Sequence, residues 1–368
     1  YIGETTVHAG RLQVDGSIAY SMTTRIENGA TLGGNGRTGD VVVEAGGLIG
    51  AGNSAGRLTT GDIILLSGAT FQVEIGGTSA GIGGYDQVAV LGGVSLGNST
   101  LDLSLLSGFS PAFGNAFEII DNNGADPVAG TFKGLAEGAE FVAAGRAFEI
   151  SYKGGDGNDV VLTAIQAVIT GTSGNDVVNA TNTVVGQLPA TDGDDIIYGK
   201  GGNDQLYGLA GNDEIYGDNK KDKLYGGDGD DYVSGGNGKD VLKGGNGADT
   251  LDGGKGKDKL TGGDGADTFV FSTALDKKKF DKITDFGTGD DVINLSQDVF
   301  KKLGPLGELR AEQFHVGKKA KGDEAQIVYQ KNKGMLFYDK NGAKSGGDTL
   351  FAKVDKGTAL HHDDFFVV

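Results

Sequence analysis

Through about residue 164, apolar and polar positions alternate with period two in short runs separated by glycine turns: TTV, LQV, DVVVEAGG, DIILLSGATFQVEI, DQVAV, LDLSLL, AFEII and AFEISY. These runs are rich in Val, Ile and Phe and lack a 3.6-residue rhythm, so they predict strands rather than helices. From about residue 171 to 270 the period becomes nine. Beyond 271 the glycine density falls and lysine runs appear, DKKKFDK and GKKAKGDE. The pattern predicts an all-β chain of three segments: 1–164, 165–270 and 271–368.

Written in register, the middle segment reads GKGGNDQLY (199–207), GLAGNDEIY, GDNKKDKLY, GGDGDDYVS, GGNGKDVLK, GGNGADTLD, GGKGKDKLT and GGDGADTFV (262–270). ATDGDDIIY precedes it, and an outlying copy, GTSGNDVVN, occupies 171–179. Each contiguous unit carries one inward apolar residue: Ile197, Leu206, Ile215, Leu224, Val233, Leu242, Leu251, Leu260 and Phe269. One such side chain buries too little surface to offset the entropy of ordering nine residues. A further stabilising term is required.

The sixth position of every unit supplies it: Asp195, Asp204, Asp213, Asp222, Asp231, Asp240, Asp249, Asp258 and Asp267, with Asp176 in the outlying copy. Stacked strands place these carboxylates in rows about 4.8 Å apart, a strongly repulsive column unless a cation intervenes. Calcium suits the column because it takes six to eight oxygens in adaptable geometry. Glycines let each turn curl inward and aim its carbonyls: Gly199, Gly201, Gly208, Gly211, Gly217, Gly226, Gly229, Gly235, Gly238, Gly244, Gly247, Gly253, Gly256, Gly262 and Gly265. Small Asp or Asn residues fill the third position at Asp192, Asp228, Asn237, Asn246 and Asp264. Together these form the candidate metal-binding set.

The repeat matches G-G-x-G-x-D-x-U-x and so resembles the RTX (repeats-in-toxin, hemolysin-type calcium-binding) family over about a quarter of the chain. The resemblance implies a β-roll in which two units make one turn and each ion lies between a loop and the next loop on its own side. Nine loops then imply roughly seven ions. A flexible Gly/Asp linker is the alternative, but linkers hold no nine-residue register. The loop with Lys220 and Lys221 beside Asp222 is expected to bind weakly or stay empty. Tyr198, Tyr207, Tyr216 and Tyr225 follow the apolar residue in four successive units. They are expected to stack outward as a cross-strand ladder, a carbohydrate-binding strip being the alternative.

Composition narrows the function. Glycine accounts for 69 of 368 residues, but with four prolines and no G-X-Y period the chain is not collagen. At 38% hydrophobic it is too apolar for wholesale disorder. A net charge of −18 argues against nucleic acid as a partner. Cysteine is absent, so any stapling falls to a metal. No run of about 18 apolar residues exists to span a membrane. The chain opens on Tyr1 without methionine or a signal-peptide pattern, as expected of a processed piece. Five arginines precede residue 165 and only Arg310 follows it, consistent with a mosaic of two segments.

The first 160 residues resemble the autotransporter-associated β-strand repeat in GETTVHAGRLQVDGSI, NGATLGGNG, VEAGGLIGAGNSAGRLTTGD and SGATFQVEI. That resemblance implies an elongated, right-handed parallel β-solenoid (β-helix), each rung burying its Val/Ile/Leu row. The lone copy GGDGNDVVL (154–162) reads as a turn and final strand. The last hundred residues resemble the C-terminal part of type I-secreted RTX proteins in ADTFVFSTAL, FDKITDFGTGDDVINLS, GMLFYDKNG and DDFFVV. This implies a small β-rich cap that holds the export signal; DDFFVV also reads simply as a last buried strand.

The four histidines, His8, His315, His361 and His362, form no H-E-x-x-H, and no G-x-S-x-G occurs. His361 and His362 beside Asp363 read as a solvated turn rather than a metal site. The expectation is a secreted, non-enzymatic calcium-binding repeat protein, structural or adhesive at the bacterial cell surface or matrix, folding outside the cell. Its expected partners are calcium, the type I secretion apparatus during export, a second copy in an oligomer or filament, and a cell-surface polysaccharide. The alternative is the C-terminal delivery portion of a larger secreted enzyme (protease, lipase or polysaccharide-modifying) with its catalytic part upstream.

Overall fold

The computed structural model describes residues 2–368 except Asn53, Ser107, Thr288, Gly289 and Ser345. One residue of the strand-repeat motif and two of FDKITDFGTGDDVINLS therefore lie outside the described residues. The chain divides into two compact units, Tyr1–Ile165 and Gln166–Val368. Both are built from stacked strands, and the fold is all-β with predominantly parallel sheets.

In the first unit, one sheet stacks Gly10–Gln13, Ala30–Gly33, Leu48–Gly50, Thr70–Ile75 and Thr100–Leu105 in parallel. Register aligns Leu12, Leu32, Ile49, Phe71 and Leu101 in one row. Leu32, Ile49 and Phe71 are fully buried, each contributing about 1.5–3 kcal/mol. The other sheet runs in parallel through Thr5–Val7, Ser17–Ile26, Arg37–Val43, Arg57–Thr60, Gln87–Val90 and Ala116–Asn122.

Parallel stacking stops at Ala116–Asn122, short of the segment end expected from the repeat. Asp159–Ile165, Arg146–Gly154 and Ala139–Ala143 continue the sheet antiparallel. A parallel stack ends in an unpaired strand edge, and this meander covers it. Aromatic residues plug the end: Phe117 lies 5.4 Å from Tyr85 and 6.4 Å from Phe148 between ring centroids. The lone copy at 154–162 forms the turn between the last two long strands. Both oxygens of Asp159 are used locally, accepting N–H of Asn122 (2.7 Å) and Asp156 (3.2 Å).

The second unit contains two parallel stacks. One aligns Ile169, Ile197, Ile215, Val233, Leu251, Phe269, Ile293 and Phe365 in a single row, every member fully buried. The other aligns Val178, Leu206, Leu224, Leu242, Leu260 and Ile283, again fully buried. The final hundred residues thus continue both apolar rows of the array. DDFFVV supplies the last strand of the first row, Phe365–Val367, with Phe365 and Val367 buried. Asp348–Lys353 joins the second stack in parallel, Met335–Asp339 and Gln326–Gln330 follow antiparallel, and Phe314–Val316 ends it, parallel to its neighbour.

Candidate metal centre

Because successive units alternate between the two stacks, the sixth-position aspartates fall into two columns. In one, the backbone N–H of Asp176 donates to Oδ1 of Asp204 (2.8 Å), Asp204 to Asp222 (2.8 Å), Asp222 to Asp240 (2.9 Å) and Asp240 to Asp258 (2.7 Å). In the other, Asp195 donates to Asp213 (2.8 Å), Asp213 to Asp231 (2.8 Å), Asp231 to Asp249 (2.9 Å) and Asp249 to Asp267 (3.1 Å). The nine aspartates of the contiguous array are almost fully buried, none above 2% exposed. In the eight from Asp204 to Asp267, Oδ1 is committed to the backbone of its own column.

The second oxygen is not. Oδ2 of Asp204, Asp213, Asp222, Asp231, Asp240, Asp249, Asp258 and Asp267 is buried and meets no hydrogen-bond donor. An unpaired buried carboxylate oxygen is costly, and the acidities register it. Burial pushes Asp222, Asp240 and Asp249 up to about 7, Asp213 to about 8, and Asp231 and Asp267 to about 6. Backbone donation opposes the rise in each case. Asp204 and Asp258 are also raised, chiefly by burial.

First-position glycines close over these oxygens. A Cβ on Gly217 would lie 2.8 Å from Oδ2 of Asp222, and one on Gly235 2.9 Å from Oδ2 of Asp240. Carbonyls stack along the same line, with Gly217 O, Gly235 O and Gly253 O each 2.8 Å from the Cβ position of the preceding first glycine. Gly208, Gly226, Gly244 and Gly262 repeat the arrangement in the other column. Buried acceptors with no donor, beside stacked carbonyls, fit a hard cation. Among the described residues no three carboxylate or imidazole side chains converge, so backbone carbonyls must supply most of each ion's oxygens. Calcium bound there would supply the positive charge that the columns otherwise lack.

Third-position side chains lie elsewhere. Asp192, Asp228, Asn237, Asn246 and Asp264 are exposed at the rim. Asn246 donates to Oδ1 of Asp228 (2.6 Å) and Asn237 to Oδ1 of Asn219 (3.2 Å). The suspect loop keeps its place: Lys220 adopts φ 79°, Asp222 remains in the column, and its Oδ2 stays unpaired. Tyr198 stacks on Tyr216 at 5.1 Å and Tyr207 on Tyr225 at 4.5 Å. His362 sits in a short turn with Nδ1 3.1 Å from Leu309 O and 3.2 Å from Glu308.

Several partners escaped sequence reasoning. Asp258 donates to Oδ1 of Asp281 (2.8 Å) and Asp267 to Oδ1 of Asp291 (3.0 Å), so both columns run on into the last hundred residues. The D-x-U triplets DKI and DVI were the available signal. At the opposite end, Thr172 and Thr191 close the columns. Thr191 donates its N–H to Oδ2 of Asp195 (2.7 Å) and its hydroxyl to Oδ1 (3.0 Å); Thr172 does the same for Asp176. A second, outer ladder uses the fifth position, where Asp194 accepts from Asn212, Asn212 from Asp230 and Asp230 from Ala248.

No curated relative matches the chain. Among solved structures, similarity is found to a subunit of the mannuronan C5-epimerase of Azotobacter vinelandii, at 22% identity over 54% of this chain and 80% of that one, with a TM-score of 0.24. The family model for the RTX calcium-binding nonapeptide repeat matches residues 189–219, 210–242 and 234–269. Residues 189–269 are RTX calcium-binding nonapeptide repeats.

Proposed function

We propose that the chain is a secreted structural or adhesive repeat protein whose second unit folds on calcium outside the cell. The observation that carries this reading is the set of eight buried carboxylate oxygens without a donor, in an array that buries one apolar residue per nine. Such an array is poorly stable by itself and gains its missing interactions when ions enter. Extracellular calcium sites bind at about 10⁻⁴–10⁻³ M, so the array stays open where calcium is scarce and closes where it is plentiful. Export of an unfolded chain through a type I apparatus followed by folding outside accords with this switch. Among the described residues no helix is long and apolar enough to cross a membrane. The function is carried by the extended repeat surface and not by catalysis.

The test is far-UV circular dichroism of the full chain in chelator and in millimolar calcium. Calcium should add a large β-sheet increment that chelator removes. An identical spectrum in both would sink the reading.

A further inference from the structure

The two columns lie in opposite electrostatic surroundings. Loops 190–195, 208–213, 226–231, 244–249 and 262–267 form one edge of the roll; loops 199–204, 217–222, 235–240 and 253–258 form the other. Every lysine between residues 190 and 270 belongs to the second edge or to the stack whose strands leave it. Lys200, Lys220, Lys221, Lys239, Lys255 and Lys257 are on its loops, and all six are exposed. Lys223, Lys243 and Lys259 are on its strands. The first edge and its strands hold no lysine or arginine and twelve carboxylates, against five on the lysine flank.

The turns differ as well. Second positions on the lysine edge adopt φ 65–83°, a left-handed region that admits Lys200 and Asp218, whereas Gly227, Gly245 and Gly263 on the acidic edge take φ 120–142°. The φ 120–142° of those three loops suits glycine alone, while Leu209, also on the acidic edge, sits at φ 92°.

We propose that the two columns are two classes of calcium site. The acidic-edge column of Asp213, Asp231, Asp249 and Asp267 fills first, and the lysine-edge column of Asp204, Asp222, Asp240 and Asp258 fills at higher calcium. Carboxylates outside the ligand set draw a divalent cation toward one edge, and rows of lysines oppose its arrival at the other. Since these charges recur at every rung, they separate the two dissociation constants roughly tenfold. The roll then closes in two steps, one edge at a time. This inference rests on the calcium reading above.

Isothermal titration of the full chain with calcium tests it, with salt and substitution as readouts. Two classes are expected, drawing together as sodium chloride is raised, because screening weakens the attraction at one edge and the repulsion at the other. Asp231→Asn should remove sites from the tight class, and Asp240→Asn from the weak one. Combined Lys220→Gln, Lys221→Gln and Lys239→Gln, which touch no column oxygen, should tighten the weak class several-fold. A single class that ignores salt and the lysine substitutions overturns the inference and leaves calcium binding standing. Absence of any calcium heat defeats the underlying reading instead.

Discussion

The backbone N–H of Asp204 donates to Oδ1 of Asp222 one rung on, at 2.8 Å, while Oδ2 of the same carboxylate is buried and meets no donor. One residue thus performs two tasks. Its first oxygen ties adjacent rungs together, and its second is held ready for a cation. On the proposed reading, repetition of this half-satisfied state makes the roll dependent on calcium rather than merely able to bind it.

Replacing one mid-column carboxylate should separate those tasks. Asparagine at position 231 keeps a carbonyl oxygen for the N–H of Asp213 but removes the negative charge. Asp231→Asn is expected to lower the number of ions bound and to raise the calcium midpoint of folding by about tenfold, or about 1.4 kcal/mol. Titration followed by circular dichroism measures both.

The first-position glycines tolerate no side chain. A Cβ on Gly226 would meet the carboxylate of Asp231 and lie 2.7 Å from Gly244 O. Gly226→Ala should destabilise the calcium-loaded roll by about 1–3 kcal/mol. Gly16→Ala, where a Cβ meets nothing within 4 Å, should stay within about 0.5 kcal/mol. Thermal denaturation in millimolar calcium compares them.

The threonine caps give the complementary result. Asp195 already receives the N–H and hydroxyl of Thr191. Thr191→Val is expected to cost about 1.5–3 kcal/mol, the range for a hydrogen bond to a charged group. The number of calcium ions measured by titration should not change.

Protonation should oppose calcium. In the calcium-free fold, burial lifts Asp213 to about 8, Asp222, Asp240 and Asp249 to about 7, and Asp231 and Asp267 to about 6. These values exceed the ordinary carboxylate value near 3.9, so the protonated fold is favoured. Its stabilisation is present below about pH 4 and is lost as pH rises through about 6 to 8. In chelator, the roll should therefore be more structured at pH 5 than at pH 8. In calcium the order reverses, since protons compete for Oδ2, and the calcium midpoint should rise on acidification.

Legibility followed periodicity. The sixth-position aspartates and eighth-position apolar residues were readable because the nine-residue period fixes both, and each inner row is buried as that period requires. Asp281 and Asp291 were not, because the column spacing lengthens from 18 residues to 23 and 24 where the insertions begin. The threonine caps and the fifth-position ladder were hidden in positions that the repeat formula leaves open. In the first unit, period-two alternation marked strands but not their direction. A strand buries the same face beside a parallel or an antiparallel neighbour, so the closing meander of Ala139–Ala143, Arg146–Gly154 and Asp159–Ile165 could not be told from another parallel rung.

The most direct test of calcium as part of the roll's core is hydrogen–deuterium exchange of the full chain, resolved by peptide, in chelator and in millimolar calcium. The account predicts that amides of residues 189–269 exchange rapidly in chelator and become protected by orders of magnitude with calcium, while the first unit is unchanged. Equal protection of residues 189–269 in both conditions would contradict it.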